Sequence, residues 1–372
     1  MKSYDVAIIG AGINGCALAY ELHNKNQRVI VFEQVGIASG GSGAAGAFIN
    51  PKISKSGPLK ELIEVAYLYS LDFYKKNFSE QTTAAPLLHI SKYSNDNEKV
   101  DYFKKHTSLQ TQNLPLELQN RLSPYAQEFS SVYLKDNAVV EAKEICEAML
   151  KDIELNYTKV NEPKYYDGFW HIDEVRAKTL VFCTGAYEEV IKEDYITLRR
   201  IYGQRCEIES STVMNETVHH EVSISATKKN GRIAIGASHY LNEEEIPKDE
   251  DGANALLDLA SKTLVLKDIK LHNTFTGMRS GSNDYLPIVG PLIDAVRSLD
   301  EDMSALEGNK EASLVVYESA YMINGVGGYG FVLAPYLAKL MSDHLVNKER
   351  LPEFLEPKRF YYRNMKKRGQ NR

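Results

Sequence analysis

The sequence predicts a protein of the α/β class in which a Rossmann-like domain is joined to a second, mostly antiparallel β domain. A continuous apolar stretch at residues 4–9 runs into a glycine-rich turn, a helix and a second buried strand, as in a parallel sheet covered on both faces. Polar and apolar residues alternate over residues 201–235, which is typical of an antiparallel sheet with one exposed face. Another glycine-rich turn, at residues 325–330, lies between a strand and a helix.

The N-terminal β-α-β unit comes first in the chain. Its strands cover residues 4–9 and 28–32, and its helix runs from Cys16 to about Asn24. Residues 36–50 are rich in Gly, Ala and Ser, so we expect a loop there whose backbone approaches another group closely. An amphipathic helix is predicted at residues 59–76.

The remaining segments are predicted from the same patterns of apolar spacing and glycine turns. They are short strands and helices at 80–138 outside the first sheet, a helix at 139–156, a buried strand at 179–186, a helix at 251–264, an acidic stretch exposed to solvent at 294–311, a strand near 314–316, and a helix from about 334 to 345. We therefore assign to the Rossmann-like domain residues 1–50, 139–200 and 275–372, and to the second domain residues 51–138 and 201–274. A length of 372 residues agrees with two domains.

Composition and charge exclude several classes of protein. The net charge of −6 argues against a strongly basic nucleic-acid-binding protein, although it allows a local basic patch. The four cysteines are far apart in the chain, so we expect no metal site, no disulfide framework, and reduced thiols in a cytoplasmic protein: Cys16, Cys146, Cys183 and Cys206. No apolar run approaches 18 residues, and we expect no membrane span.

The glycine-rich turn after the first strand has the spacing of a dinucleotide-binding site. Gly10 permits a tight turn, Gly12 lets the backbone approach a pyrophosphate, and Gly15 allows close packing of helix on strand. Glu33 ends the second strand, where an acid binds ribose hydroxyls. Because an acid there disfavours a 2′-phosphate, NADP is disfavoured, whereas NAD and FAD both remain.

Two later features favour FAD over NAD. The loop at 36–50 follows the acid directly, where the long body of a flavin would lie. The second glycine-rich turn, at 324–330, would bring the other end of the chain to the same ligand. A helix that begins after Gly330 could direct its positive N-terminal end at the flavin pyrimidine.

These motifs resemble the D-amino-acid oxidase-like flavoproteins, a superfamily that also contains glycine and sarcosine oxidases. The matching segments are residues 10–15, 38–43, 183–186 and the C-terminal glycine-rich loop. Within the superfamily, the chain most resembles the FAD-dependent C-terminal half of the bifunctional tRNA 5-methylaminomethyl-2-thiouridine biosynthesis proteins. Three segments are similar to that family: Gly46-Ala47-Phe48-Ile49-Asn50-Pro51, residues 231–238, and Arg279-x-x-Ser282-x-Asp284-x-Leu286-Pro287-x-Val289-Gly290-Pro291.

The resemblance implies a FAD-dependent oxidoreductase that acts on CH–NH groups and holds its FAD noncovalently. We expect FAD to be bound by Gly10, Gly12, Ile13, Asn14, Gly15, Glu33, Ser42, Gly43, Ala45, Gly46, Ala47, Val160, Thr184, Gly185, Gly325, Gly327, Gly328, Tyr329 and Gly330. Tyr329 stands where the family usually has Arg, and Ala44-Ala45 replaces residues that are often polar in the family. Arg279 and Tyr329 are the expected catalytic residues.

The family's substrate is a carboxymethylaminomethyl group on the wobble uridine of tRNA, which is chemically an N-substituted glycine. A hydride would pass from its CH2 carbon to the flavin, and the imine would hydrolyse to glyoxylate. Arg279 matches the position that binds the carboxylate, for which the bidentate fork of arginine is suited. A structural salt bridge is the alternative for Arg279.

Phosphate contacts dominate the affinity of proteins for RNA, so a basic surface is expected. The tail at 358–372 interleaves aromatic and basic residues: Lys358, Arg359, Phe360, Tyr361, Tyr362, Arg363, Lys366, Lys367, Arg368 and Arg372. The alternative is a frayed tail that serves only solubility. A second candidate patch consists of Lys52, Lys55 and Lys60.

Three functions remain open at this point. The first is removal of the carboxymethyl group from tRNA, with room for a separate methyltransferase that acts afterwards, since no methyltransferase half is expected in this chain. The second is a small-molecule amine or amino-acid oxidase of the glycine, sarcosine or D-amino-acid oxidase type. The third is a flavin-binding protein without turnover of amines.

Overall fold

The computed structural model describes residues 1–187 and 190–370. Its strands are β1 Lys2–Ile9, β2 Val29–Phe32, β3 Phe48–Ile49, β4 Thr82–Ala84, β5 Leu87–Ile90, β6 Thr111–Gln112, β7 Ser131–Leu134, β8 Ala138–Val140, β9 Glu154–Asn156, β10 Lys164–Tyr166, β11 Phe169–Ile172, β12 Val175–Phe182, β13 Leu198–Glu209, β14 Thr217–His219, β15 Ser223–Ile224, β16 Ile233–Gly236, β17 Lys270–Ser282, β18 Ile288–Ile293 and β19 Val316–Asn324. Its α-helices are α1 Ile13–Asn24, α2 Pro58–Asn77, α3 Asn97–His106, α4 Leu116–Arg121, α5 Pro124–Gln127, α6 Ala142–Met149, α7 Asp249–Ser261, α8 Ala295–Glu301, α9 Gly330–Asn347 and α10 Lys358–Gln370.

The first sheet is built around a parallel core. Strands β12, β1, β2 and β9 lie side by side in parallel, and β19 continues the parallel core beyond β12. The hairpin of β10 and β11 and the strand β18 join this core in antiparallel pairing. Helices α1, α2 and α9 cover one face, where the apolar side chains of the parallel strands form a large buried cluster. Burial on both faces explains why these strands read as continuous apolar runs.

The second sheet is mostly antiparallel, as the alternating pattern predicts. Its strand order is β17-β13-β16-β15-β14-β5-β7-β6, and only the contact of β14 with β5 is parallel. The longest pairing joins β13 to β17, from Leu198 opposite Ser282 to Glu209 opposite Lys270. Helix α7 packs on this sheet over a separate apolar cluster. The predicted fold class, α/β with a second antiparallel sheet, is thereby confirmed.

The division into two domains stays a prediction. Strand β17 belongs to the antiparallel sheet and passes through residue 275, where the predicted boundary falls. A third, small sheet consists of β3, β8 and β4. It pairs residues 48–49, which belong to the predicted Rossmann-like domain, with residues 138–140, at the other predicted boundary. In the part of the chain that the structure describes, no helix has the length and apolar character needed to cross a bilayer.

The continuous helix predicted at residues 139–156 is wrong. Strand β8 occupies residues 138–140, helix α6 covers only residues 142–149, and β9 follows at 154–156. Strand β9 pairs in parallel with β2, from Ile30 opposite Glu154 to Phe32 opposite Asn156. Pairing at a sheet edge is a tertiary effect that overrides the local pattern.

The predicted exposed excursion at residues 294–311 is also wrong. Asp294 caps α8 by accepting a hydrogen bond from the backbone N–H of Arg297 at 3.0 Å, and Ala305 is fully buried. The segment packs against α10, whose Phe360, Tyr361 and Met365 are buried in the same apolar cluster. The few apolar residues of this acidic stretch therefore pack against the C-terminal helix α10.

Candidate active site

A cavity of about 760 Å³ lies at the carboxyl ends of β1, β2 and β12. Its far wall comes from the antiparallel sheet, through residues 278–280 of β17 and through Ser223 and Gly236. The carboxyl ends of parallel strands are the usual place for a bound nucleotide, and the volume lies within the ordinary range for ligand pockets. The fold thus places a ligand-sized space between its two sheets.

The first glycine-rich turn closes one wall because its glycines allow close packing. Gly10 has a φ of 106°, and a Cβ there would lie 2.5 Å from the carbonyl oxygen of Cys183. A Cβ on Gly15 would lie 1.9 Å from the carbonyl oxygen of Gly10. The backbone N–H of Ile13 donates to Ser42 Oγ at 3.0 Å, which attaches the loop after β2 to the start of α1.

Glu33 lines the cavity at the end of β2 and is held by backbone groups. Its Oε2 accepts from the N–H of Ala11 at 2.9 Å, and its Oε1 accepts from the N–H groups of Val35 at 2.9 Å and Gly36 at 3.4 Å. A carboxylate offers about four lone-pair sites, so capacity remains for ligand hydroxyls. The acid therefore both organises the loop and faces the cavity.

The residues of the cavity fit FAD on grounds of size and chemistry. Asn14 lines the cavity, and its buried Oδ1 has no hydrogen-bond partner within the described residues. Buried polar atoms are normally paired, so this oxygen indicates a ligand donor. Gly41 has no room for a side chain, since a Cβ would lie 2.4 Å from the carbonyl oxygen of Met278. Bare backbone along the wall and an acid at one end suit a long dinucleotide.

Most of the residues predicted to bind FAD line this one cavity. They are Gly10, Gly12, Ile13, Asn14, Glu33, Ser42, Ala45, Gly46, Ala47, Val160, Thr184, Gly185, Gly327, Gly328 and Gly330. Four predicted residues do not line it: Gly15, Gly43, Gly325 and Tyr329. Of these, Gly43 accepts a hydrogen bond from Arg205 at its carbonyl oxygen, and Gly325, with a φ of 73°, packs against Ile288 and Ser282. Direct contact of each residue with the cofactor stays a prediction.

Tyr329 lies beside the cavity rather than in its wall. It is the residue before α9, and Lys52 Nζ lies 5.6 Å from the centre of its ring. Burial raises the pKa of Tyr329, so its hydroxyl stays protonated at neutral pH. Its predicted catalytic role stays a prediction.

Arg279 lines the opposite wall of the cavity from strand β17. Its Nη2 donates to the carbonyl oxygen of Ser238 at 3.1 Å, and a Cβ on Gly203 would lie 2.4 Å from the same nitrogen. No carboxylate forms an ion pair with Arg279 in residues 1–187 or 190–370. Burial lowers the pKa of Arg279 from the ordinary arginine value, and its remaining donors are available to an anion in the cavity.

Asn324 joins three segments of the wall and was not predicted as a site residue. Its Oδ1 accepts from Ser280 Oγ at 2.7 Å and from the N–H of Gly325 at 2.8 Å, and its Nδ2 donates to the carbonyl oxygen of Gly185 at 2.9 Å. The side chain is fully buried. A lone Asn before a glycine turn gives no sequence signal for such a role.

Ser223 is a second wall residue that sequence reasoning missed. Its Oγ lies 2.6 Å from His219 Nδ1, and the ring of His219 stacks on that of His89 with centroids 4.9 Å apart. Burial, His220 and Lys92 together lower the pKa of His219 to about 4. His219 is therefore a neutral hydrogen-bonding partner of Ser223 at pH 7.

The motif after Arg279 has a structural role in this protein. Ser282 Oγ lies 3.0 Å from Asp284 Oδ1 and 2.7 Å from the carbonyl oxygen of Leu286, and its single O–H can donate to either one. Arg359 of α10 donates through Nε to Asp284 Oδ2 at 3.0 Å, and through Nη2 to the carbonyl oxygens of Leu286 and Pro287 at 2.9 Å. The motif thus anchors the C-terminal helix.

The alternative of a frayed basic tail is wrong for residues 358–370, which form helix α10. Helix α10 buries Phe360 and Tyr361, and several of its cations are paired with acids. Lys358 pairs with Glu353 at 2.8 Å, and other pairs join Arg359 to Asp284 and Arg368 to Asp194. Arg372 lies outside the described residues. In the second candidate patch, Lys55 and Lys60 pair with Glu98 and Glu64.

The fold and the site together define a nucleotide-dependent oxidoreductase whose cavity is built for a flavin dinucleotide. The chain belongs to the DAO family of FAD dependent oxidoreductases, whose family model matches residues 5–344. It is accordingly an FAD-dependent oxidoreductase. The resemblance to this superfamily, expected from the motifs, is confirmed.

Among curated proteins, the chain is similar to the tRNA 5-methylaminomethyl-2-thiouridine biosynthesis bifunctional protein MnmC of Legionella pneumophila. The two are 24% identical over 385 residues, which cover 95% of this chain and 56% of that protein. The chain therefore spans little more than half the length of this relative. A second relative, MnmC of Leptospira interrogans, is 23% identical over 97% of this chain and 61% of its own length.

Among solved structures, glycine oxidase from Geobacillus kaustophilus has a TM-score of 0.76 at 19% identity, with 96% of this chain and 98% of that chain covered. L-α-glycerophosphate oxidase from Mycoplasma pneumoniae, a structure with FAD bound, has a TM-score of 0.72 at 16% identity, with 93% and 95% covered. At these identities the likeness shows the shared fold.

Proposed function

We propose that this protein oxidises an N-substituted glycine, and that its substrate is the carboxymethylaminomethyl group on the wobble uridine of tRNA. The observation that carries the proposal is Arg279, a half-buried cation at one wall of the cavity that has no carboxylate partner among the described residues. An unpaired buried cation is costly unless a ligand neutralises it. The carboxylate of an N-substituted glycine supplies that charge.

The chemistry balances as a two-electron oxidation followed by hydrolysis. A C–H bond of the CH2 group breaks, and its two electrons and proton leave the substrate while a C=N bond forms. Water then adds to this carbon and the C–N bond breaks, which releases glyoxylate and leaves the aminomethyl group on the base. When bound, FAD supplies the acceptor for the two electrons.

The chain's own residues bind and orient the substrate. Arg279 holds the carboxylate through its free donors, which turns the CH2 group toward the cavity wall formed by the glycine loops. Asn324 keeps Ser280, and thereby the end of β17, in a constant position relative to Gly185. No general base is required for this step when the amine binds in its unprotonated form.

The second candidate, a small-molecule amine oxidase, is favoured by a specific observation. The cations of α10 that would meet tRNA phosphates are largely paired with acids of the chain. Likeness to glycine oxidase over nearly the whole chain agrees with this reading. Support for tRNA comes from the MnmC relatives, which match this chain almost from end to end.

The decisive experiment compares these substrates on the purified, FAD-loaded protein. We expect nucleoside mass spectrometry of treated tRNA to show loss of carboxymethylaminomethyl-uridine, gain of aminomethyl-uridine, and glyoxylate in equal amount. Efficient oxidation of sarcosine or glycine with unchanged tRNA would overturn the tRNA proposal and leave the small-molecule oxidase. FAD-loaded protein that oxidises no amine would leave a flavin-binding protein without turnover.

We further propose that FAD is held without a covalent bond. Cys183 lines the cavity, but burial raises the pKa of its thiol to about 12, so no thiolate is present at neutral pH. Acid precipitation is expected to release all of the flavin into the supernatant. Glu33→Ala should weaken FAD binding by about 1–3 kcal/mol, the scale of hydrogen bonds to a charged group, as titration of apoprotein would measure. Flavin that stays with the precipitate would contradict the noncovalent assignment.

A further inference from the structure

A second arginine that forms no ion pair with the described residues lies on the same face of the antiparallel sheet as Arg279. Arg199 of β13 is opposite Gly281, and Ile201 is opposite Arg279. Because side chains alternate along a strand and match across it, Arg199 and Arg279 are diagonal neighbours on one face. Such neighbours have backbone positions roughly 7–8 Å apart.

The guanidinium of Arg199 is held in place by groups that leave its charge uncompensated. Its Nε donates to the carbonyl oxygen of Ser282 at 3.1 Å, and its Cζ lies 4.1 Å from the ring centre of Tyr285. Tyr285 is 63% exposed, so the stacked pair lies at the protein surface. The stacking on Tyr285 and the hydrogen bond to Ser282 fix the orientation of the Arg199 guanidinium, and its remaining N–H donors are directed accordingly.

This group is next to the candidate active site. Arg199 Nη2 lies 3.5 Å from the place of a Cβ on Gly281, and Gly281 forms a β-bridge with Val326, which lines the cavity. His239 is close to both arginines: burial first, then Arg279 and Arg199, lower its pKa. Two guanidinium groups therefore lie at one end of the cavity, Arg279 in its wall and Arg199 next to it.

No acid compensates this end within the described residues. The carboxylate of Asp284, two residues after the end of β17, is engaged by Arg359 at 3.0 Å and Arg363 at 3.6 Å. The acidic turn at residues 243–245 touches Tyr202 through Glu243 at 3.5 Å and forms no ion pair with Arg199. Arg199 and Arg279 each lack an acid partner among the described residues, so a ligand with two anionic groups can compensate both charges.

We infer that Arg199, stacked on Tyr285, binds the phosphate of the modified nucleotide while Arg279 binds its carboxylate. The inference rests on the proposed function. The nucleotide carries both anions, since C5 of a pyrimidine lies on the same edge as the 5′-phosphate in the usual base orientation. Arginine suits phosphate because its planar fork donates two parallel hydrogen bonds.

The test compares two small substrates that differ only in the phosphate: 5-carboxymethylaminomethyl-uridine and its 5′-monophosphate. We expect the wild-type holoenzyme to have a kcat/KM for the monophosphate at least about tenfold higher, which corresponds to about 1.4 kcal/mol. In Arg199→Ala this ratio should fall close to one. Arg199→Gln keeps a donor for Ser282 and should lose the preference too. Arg200→Ala is the matched control, because this exposed neighbour lies on the opposite face, and it should keep the wild-type ratio.

Each other outcome has a distinct meaning. A wild-type enzyme that treats nucleoside and monophosphate alike would overturn the role of Arg199 and leave the proposed function standing. Oxidation of sarcosine without oxidation of nucleoside, monophosphate or tRNA would overturn the proposed function itself. Iminodiacetate serves as the probe for a second carboxylate. Suppose that Arg199→Ala loses a wild-type preference for iminodiacetate over sarcosine but keeps the preference for the monophosphate over the nucleoside. Arg199 would then bind a carboxylate, and the phosphate assignment would be wrong.

Discussion

Arg205 and Arg279 lie on neighbouring strands of one sheet, and their charges are treated in opposite ways. Arg205 donates through Nη1 to Glu207 Oε1 at 2.6 Å, and its guanidinium stacks on Phe275 at 3.8 Å. Within residues 1–187 and 190–370, the guanidinium of Arg279 donates only to the carbonyl oxygen of Ser238, at 3.1 Å. A buried cation that serves the fold is neutralised by the fold, whereas one without an acid is available to a ligand. This difference distinguishes the structural region from the end of the cavity where we propose that the substrate binds.

The region around Glu207 is a closed network of charges. Lys228 Nζ donates to Glu207 at 2.8 Å and to Glu141 at 2.6 Å, which ties the antiparallel sheet to the start of α6. Burial by itself would raise the pKa of Glu207, but Arg205 and Lys228 lower it to about 2. The carboxylate is therefore charged throughout the physiological range, and together with Glu141 it compensates both cations.

The largest expected effect is on stability in this network. Glu207→Gln leaves Arg205 and Lys228 buried with too little negative charge, so we expect the free energy of unfolding to fall by about 3–5 kcal/mol. Urea unfolding measures the change. Glu209→Gln, an exposed acid on the same strand, is the control and should cost about 1 kcal/mol or less. Equal stability of the two variants would contradict the conclusion that the buried charges around Glu207 stabilise the fold.

The second expected effect is on turnover at the unpaired arginine. Arg279→Ala and Arg279→Lys should lower kcat/KM roughly 30- to 4,000-fold, which corresponds to about 2–5 kcal/mol of lost transition-state stabilisation. The Lys variant should fail too, because the point charge of an ammonium group cannot replace the two parallel donors of the guanidinium. Flavin content and the free energy of unfolding should not fall, since no partner acid is left unpaired. Rapid-mixing measurement of flavin bleaching by substrate reports the loss. Arg176→Ala, an exposed arginine of β12, is the control. Near-normal bleaching in Arg279→Ala would exclude this residue from substrate binding.

A smaller effect is expected where a cation fastens one element to another. Arg359→Ala removes the contacts of α10 with Asp284 and with two carbonyl groups, which we expect to cost about 1–3 kcal/mol. Hydrogen exchange over residues 358–370 should rise. Arg363→Ala, whose side chain is 60% exposed and 3.6 Å from the same acid, should change exchange much less. Unchanged exchange in both variants would show that apolar packing alone holds the helix.

The smallest effect concerns the histidines behind Ser223. Burial and the neighbouring His219 and His220 lower the pKa of His89 well below its usual value, and His219 has a pKa of about 4. The unfolded chain therefore binds more protons than the folded protein between pH 6.5 and about 4. Stability is complete above pH 6.5 and falls as the pH decreases, with a slope of at most about 1.4 kcal/mol per pH unit for each histidine.

Unfolding of the variant His219→Asn at several pH values tests this dependence. Lys92 and Glu221 are the other charged groups near the cluster and remain in the variant. The pH slope should flatten in His219→Asn and stay unchanged in His106→Gln, which alters an exposed histidine. A wild-type protein whose stability is constant from pH 7 to pH 5 would contradict the assignment.

Much of the cofactor half could be predicted from the sequence because its signals are local. The strand, turn and helix around Gly10 and Gly15 follow from residues adjacent in the chain, and the acid at Glu33 from its position at the next strand end. The errors at 139–156 and 294–311 have a common cause. Short strands and apolar contacts there depend on distant partners, β2 and α10, which a local pattern does not contain.

What the sequence by itself determined is the presence of a dinucleotide site and of an arginine at residue 279. Only the tertiary structure decided which charges are compensated. The charge of Arg205 is compensated because Glu207 lies beside it. Lys228 also contacts Glu207, and its charge is compensated by Glu141, which comes from a distant part of the chain. Arg279 has no such partner among the described residues, although its sequence neighbourhood also contains an acid, because Asp284 turns away to Arg359. The pairing of buried charges depends on which strands pack together, and this property belongs to the fold as a whole.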